Sequence, residues 1–131
     1  MNDLAENTSN TKTILVVDDD ELIRTIAARA LRMAGYEVIE AAGGLSALHT
    51  NRTHQGSIDI LVTDIVMREC DGNRVADAVE QARPDTKIIL ISGHMHTEEQ
   101  FRDVLTPSRT LLVKPFKMKE LTDLVAEVLE R

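Results

Sequence analysis

Four short runs of this chain are almost purely apolar and rich in β-branched residues: Ile14–Val17, Ile60–Val62 with Ile58 ahead of it, Ile88–Ile91 and Leu111–Val113. Runs that are continuous rather than alternating suit strands covered on both faces, as in a parallel sheet. A fifth, weaker run spans Tyr36–Glu40, after Gly35. Helical patterns lie between them. Leu22, Ile23, Ile26, Ala27, Ala30 and Leu31 share one face at three- and four-residue spacing, and Val75, Ala78, Val79 and Ala82 do so ahead of Pro84. Leu121, Leu124, Val125, Val128 and Leu129 make the clearest such face, with shorter helices expected over Gly43–Asn51 and about Glu98–Leu105. Strand and helix thus alternate five times. Right-handed crossovers fold such a chain into an α/β unit, a five-stranded parallel sheet with helices on both faces. The common strand order is 2-1-3-4-5, and ligands then sit beyond the carboxyl ends of the strands.

One such unit accounts for the whole length. Residues 1–12 are polar and rich in Asn and Thr and read as a flexible tail, and residues 13–131 read as one domain. The net charge of −7, with one tyrosine, two phenylalanines and no tryptophan, supplies neither the basic footprint nor the stacking platform of a nucleic-acid binder. No direct contact with DNA or RNA is expected. No apolar run approaches a membrane span, and the acidic start lacks the apolar middle of a secretory signal. The single cysteine, Cys70, excludes an internal disulfide and any metal site built on several thiolates. Together these features favour a reducing, cytoplasmic compartment.

The residues after each strand form an unusual set. Asp18, Asp19 and Asp20 follow Val17, Asp64 follows Val62–Thr63, Ser92 follows Ile91, and Lys114 follows Val113. Strand 2 ends in Glu40–Ala41 and adds nothing evident. Each residue has an ordinary explanation: one of the three acids caps the helix starting near Glu21, Ser92–Gly93 makes a turn, and Lys114 before Pro115 is a surface lysine. Capping does not explain two further acids, because crowded carboxylates repel one another. A hard divalent cation relieves that repulsion, and Mg²⁺ takes one or two carboxylates together with water and phosphate oxygens. A carboxylate is also a nucleophile toward phosphorus. Phosphoryl transfer then needs mainly positioning and charge neutralisation, for which a metal and an ammonium suffice.

The segments ILVVDDDE, LVTDIVM, Asp71–Gly72, LISG and LLVKPF resemble, in order and spacing, the receiver domains of two-component response regulators. The resemblance covers about residues 13–131 and implies a flavodoxin-like receiver fold. It implies that Asp64 is the phosphoacceptor, and that Asp18, Asp19, Asp64 and the main-chain carbonyl of Val66 hold Mg²⁺ or Mn²⁺. It makes Ser92 the switch hydroxyl and Lys114 the phosphoryl-contacting lysine, with a cis bond to Pro115. The implied donor is a histidine kinase or a histidine phosphotransfer protein, and the implied output is a downstream protein target. Such a chain accepts and loses a phosphoryl group but is not a turnover enzyme. With the last helical pattern reaching Arg131, no output domain is expected here. The chain reads as a stand-alone regulator or phosphate shuttle, favoured by the polar start, or as one domain of a larger protein such as a hybrid kinase.

Departures from the family pattern are equally legible. Arg68 stands where proline often follows the methionine, and Leu111 stands where an aromatic usually swings inward with the switch hydroxyl. Thr106–Pro107–Ser108–Arg109 replaces a frequent Gly-Ala turn. His94 and His96 read as solvent-facing rather than as a metal pair, with His94 a candidate modulator of the phosphorylation pocket. Cys70, between acids in a loop, reads as incidental, and Met33, Met67, Met95 and Met118 as gap filling or surface. A phosphate-independent module of receiver fold is the main rival, kept alive by Arg68 and Leu111. A haloacid-dehalogenase-like phosphatase fits Asp18 and Asp20 but not Glu21–Leu22, nor the short length. A flavodoxin-like FMN protein would meet three repelling acids after strand 1.

Overall fold

The structure, a computed structural model, describes residues 11–93 and 108–131. The helix expected about Glu98–Leu105, the residues His94, Met95 and His96, and most of the tail lie outside the described residues. Among the described residues the strands are β1 (Thr13–Val17), β2 (Glu37–Ala41), β3 (Ile60–Asp64), β4 (Lys87–Ser92) and β5 (Arg109–Val113). The helices are α1 (Glu21–Met33), α2 (Gly44–Thr53), α3 (Gly72–Ala82) and α4 (Met118–Glu130). All strand pairs are parallel, in the order β2-β1-β3-β4-β5.

The continuous apolar runs have a simple cause. Successive strand residues point to opposite faces, and here both faces are covered. Ile14, Val16, Ile60, Val62, Ile89 and Ile91 pack with Ala27, Ala28 and Leu31 of α1 and Leu121, Val125 and Val128 of α4. Leu15, Val17, Leu61, Ile88 and Leu90 face the other way, onto Ala47 of α2 and Val75, Ala76 and Val79 of α3. The weaker β2 is an edge strand whose Glu37 is exposed. Charge on an edge discourages pairing with another chain.

The chain turns where its residues allow. α1 ends at Ala34, and Gly35 takes a positive φ of 101°, from which Tyr36 donates back to the Leu31 carbonyl at 3.2 Å before β2 begins. The register places Val17 beside both Ala41 and Thr63, Asp64 beside Ile91, and Ser92 beside Val113. The carboxyl ends of all five strands therefore form one edge.

Candidate functional site

Asp64 closes β3 and is buried, at 6% exposure. One of its oxygens, Oδ2, accepts from Lys114 Nζ at 2.8 Å, and Oδ1 accepts from the Val66 amide at 3.3 Å. Sheet-type hydrogen bonds running past the strand ends fix both residues. Ile65 N–H donates to Ile91 O at 3.0 Å, and Lys114 N–H donates to Ser92 O at 2.7 Å. The Lys114–Pro115 peptide is cis, as the resemblance implied. Burial works against the Lys114 ammonium. The hydrogen bond that Lys114 donates to Asp64 and the charges of Asp64, Asp18 and Asp20 outweigh it and hold the lysine above its ordinary range.

The three acids after β1 have separate tasks. Asp20 is the cap of α1, accepting from Leu22 N at 3.0 Å and Ile23 N at 3.2 Å. Asp18 is buried, at 3% exposure, and its Oδ1 accepts from Asp20 N at 2.8 Å. Burial pushes its carboxyl up, and the neighbouring charges of Asp64 and Asp19 add to the push. The Asp20 amide and Lys114 oppose it. Asp19 faces the β3–α3 loop, where Arg68 donates to its Oδ2 through the main-chain amide at 3.1 Å and through Nε at 3.4 Å.

Ser92 ends β4 fully buried, its hydroxyl donating to the Gly93 carbonyl at 3.1 Å. Leu111 is half-buried in β5 and packs against the α2–α3 side of the core. Val66 is 61% exposed. Cys70 does lie in the β3–α3 loop, but it is buried and belongs to the core on that side. Met33 is exposed, while Met67 and Met118 pack at the two core margins.

Contrary to the expectation that strand 2 adds nothing, its Glu40 bears on the carboxyl edge. Glu40 of β2 pairs with Arg24 Nε at 3.4 Å, and Arg24 Nη1 donates to the Asp18 carbonyl at 2.9 Å. An acid on the edge strand thus steadies the guanidinium that holds the Asp18 main chain. Among the described residues no three Asp, Glu, His or Cys side chains stand arranged to hold a metal ion. Cations of the protein answer the acids instead, Lys114 at Asp64 and Arg68 at Asp19. The donor chemistry suits a hard cation, because the charges of both Asp64 and Asp19 bear on the buried Asp18 carboxylate.

A family model described as the response regulator receiver domain matches residues 14–126. The sensor kinase CckA of Brucella abortus is 37% identical over 97% of this chain, which spans 13% of that kinase. The response regulator receiver protein CpdR of the same organism is 32% identical over 90% of the chain and 97% of its own length. A response regulator receiver protein from Sinorhizobium medicae superposes with a TM-score of 0.83 at 28% identity, covering 93% of this chain and 97% of the other.

Proposed function

Since the chain belongs to the response regulator receiver family of two-component signal transduction, we propose that Asp64 is its phosphoacceptor and that phosphorylation switches a protein-binding surface. The observation that carries this is the buried Asp64 carboxylate held 2.8 Å from Lys114 at the carboxyl edge of the sheet. There a carboxylate oxygen would attack the phosphorus of a phosphohistidine. The new P–O bond forms as the P–N bond breaks, and the imidazole leaves as a neutral base on taking up a proton.

Asp18, Asp19, Asp64 and the Val66 carbonyl are the groups that would hold Mg²⁺ or Mn²⁺, which when bound neutralises charge on the phosphoryl oxygens. Lys114 pairs with the same oxygens. The phosphoryl group adds roughly −1.5 to −2 charges, and the buried Ser92 hydroxyl can leave the Gly93 carbonyl to donate to it. Such a change biases an equilibrium between two conformations. The surface of β5 and α4 is the proposed readout face. Leu111, without an aromatic ring, alters how that face reports the Ser92 movement.

The proposed donor is a histidine kinase or a histidine phosphotransfer protein, the recipient of the signal is a protein, and the setting is cytoplasmic. No helix among the described residues is long and apolar enough to cross a membrane. The chain acts as an acceptor rather than as a turnover catalyst. The test is transfer of labelled phosphate from a phosphohistidine-bearing phosphotransfer domain to this chain. Label arriving on wild type but not on Asp64→Ala supports the proposal; no transfer from any phosphohistidine donor opposes it. A phosphate-independent binding module has one observation in its favour, the guanidinium already seated on Asp19, and it forecasts the second outcome.

A further inference from the structure

We propose that Arg68 is a built-in competitor for the divalent cation: its amide and guanidinium hold the Asp19 carboxylate, and metal binding requires that hold to be released. The inference deepens the functional reading above and rests on its metal site.

Both Arg68 donors converge on a single oxygen, Asp19 Oδ2. They act differently. The main-chain amide fixes where the carboxylate points, and the guanidinium supplies a charge that a metal ion would otherwise supply. Proline, the residue the family often has here, offers neither donor. The contact is also placed to be reversible. The Arg68 side chain is 85% exposed and Asp19 24%, so parting them strands neither group in an apolar interior. Both residues line an open cavity of about 400 Å³, together with Ala42–Ser46, Met67 and Glu69. The cavity leaves the Arg68 side chain room to swing away from Asp19 into solvent.

The neighbouring acids sharpen the competition. Asp64 is already answered by Lys114, and Asp20 is spent on capping α1. Asp18 is turned to the Asp20 amide. Asp19 is thus the carboxylate with the greatest freedom to turn toward a cation, and it is the one Arg68 holds. An exposed pair of this kind weakens a competing cation modestly, by about two- to fivefold in affinity.

The experiment is Mg²⁺ titration of the full chain by calorimetry, with amide NMR shifts as a second readout, for wild type, Arg68→Ala, Arg68→Pro and Arg68→Lys. The expected result is a Kd lowered about two- to fivefold in Arg68→Ala, lowered at least as far in Arg68→Pro, and partly restored in Arg68→Lys. Asp19→Asn provides the control for a role exerted through Asp19. In that background Arg68→Ala is expected to leave the Kd unmoved. An equal or weaker affinity in Arg68→Ala overturns the inference while leaving the metal site standing. A full Arg68 effect in the Asp19→Asn background reduces Arg68 to a distant charge and also overturns it. Absence of Mg²⁺ binding in wild type and variants alike overturns the inference together with the metal part of the functional reading.

Discussion

The main chain of Gly72 lies against the carbonyl of Asp64, so close that a Cβ on Gly72 would stand 2.2 Å from that oxygen. The approach is held by Gly72 N–H, which donates to the Ile65 carbonyl at 2.8 Å. Asp71 then caps α3, accepting from Arg74 N at 3.0 Å. The Asp71–Gly72 pair thus starts a helix and lets it rest directly against the Asp64 main chain. Gly72→Ala is expected to cost about 1–3 kcal/mol, as overpacking does, and to slow phosphorylation by displacing Asp64. Urea unfolding and intact-mass time courses on the same protein check both parts. Unchanged stability with unchanged labelling would contradict the close approach.

Lys114→Ala leaves the buried Asp64 carboxylate without its cation. Hydrogen bonds to charged groups contribute about 1.5–3 kcal/mol, and with Lys114 itself partly exposed the loss is expected near the low end. Mg²⁺ is expected to recover part of it, since the cation answers the same charge. Thermal unfolding with and without Mg²⁺ measures this; a deficit that Mg²⁺ leaves untouched would count against a metal beside Asp64.

Far from that edge, Arg83 fastens the end of α2. Its Nε donates to Asn51 Oδ1 at 3.0 Å, and its Nη atoms donate to the carbonyls of Gly56 at 2.7 Å, His54 at 2.9 Å and Asn51 at 3.1 Å. These satisfy carbonyls that a helix end leaves unpaired. Arg83→Ala is expected to lower stability by about 2 kcal/mol, and Arg83→Lys to recover little, because an ammonium cannot span the same fork. Full rescue by lysine in urea denaturation would show that charge, not geometry, matters there.

The two-faced burial of the strands is written in Ile14–Val17 and Ile88–Ile91, because every position there meets a helix. The acids, Ser92 and Lys114 were legible because they follow those runs directly. The strands themselves run further than their apolar letters. Asp64 and Ser92 are the last residues of β3 and β4, and Arg109 and Thr110 open β5, since main-chain pairing rather than apolar character sets the limits. Arg24 on Glu40 and Arg83 on the end of α2 left no local trace, because long side chains reach partners that only the folded topology brings near. The Arg68–Asp19 contact was foreshadowed only as a departure from proline.

A pH dependence follows from the tie between β5 and α3. Arg109, with its side chain 5% exposed, pairs with Glu80 at 2.6 Å and Asp77 at 2.5 Å. The Arg109 hydrogen bond holds the Glu80 carboxyl below its ordinary 4.5, and Ser108 adds to the effect. A depressed acid contributes stability above its unfolded value and loses it as pH falls through the lower folded value. Glu80→Gln is therefore expected to be less stable than wild type by about 1 kcal/mol at neutral pH. The gap should close as pH drops below 4.5. Urea midpoints across that range test it, and a gap independent of pH would assign the effect to packing instead.

Acceptance of a phosphoryl group by Asp64 is most directly tested by intact mass. Wild type and Asp64→Ala are incubated with a small-molecule phosphodonor, with and without Mg²⁺. A single phosphoryl addition to wild type that requires Mg²⁺ and is absent from the variant is the expected result. A folded wild type that gains nothing in Mg²⁺, or a variant labelled as readily as wild type, would contradict the account.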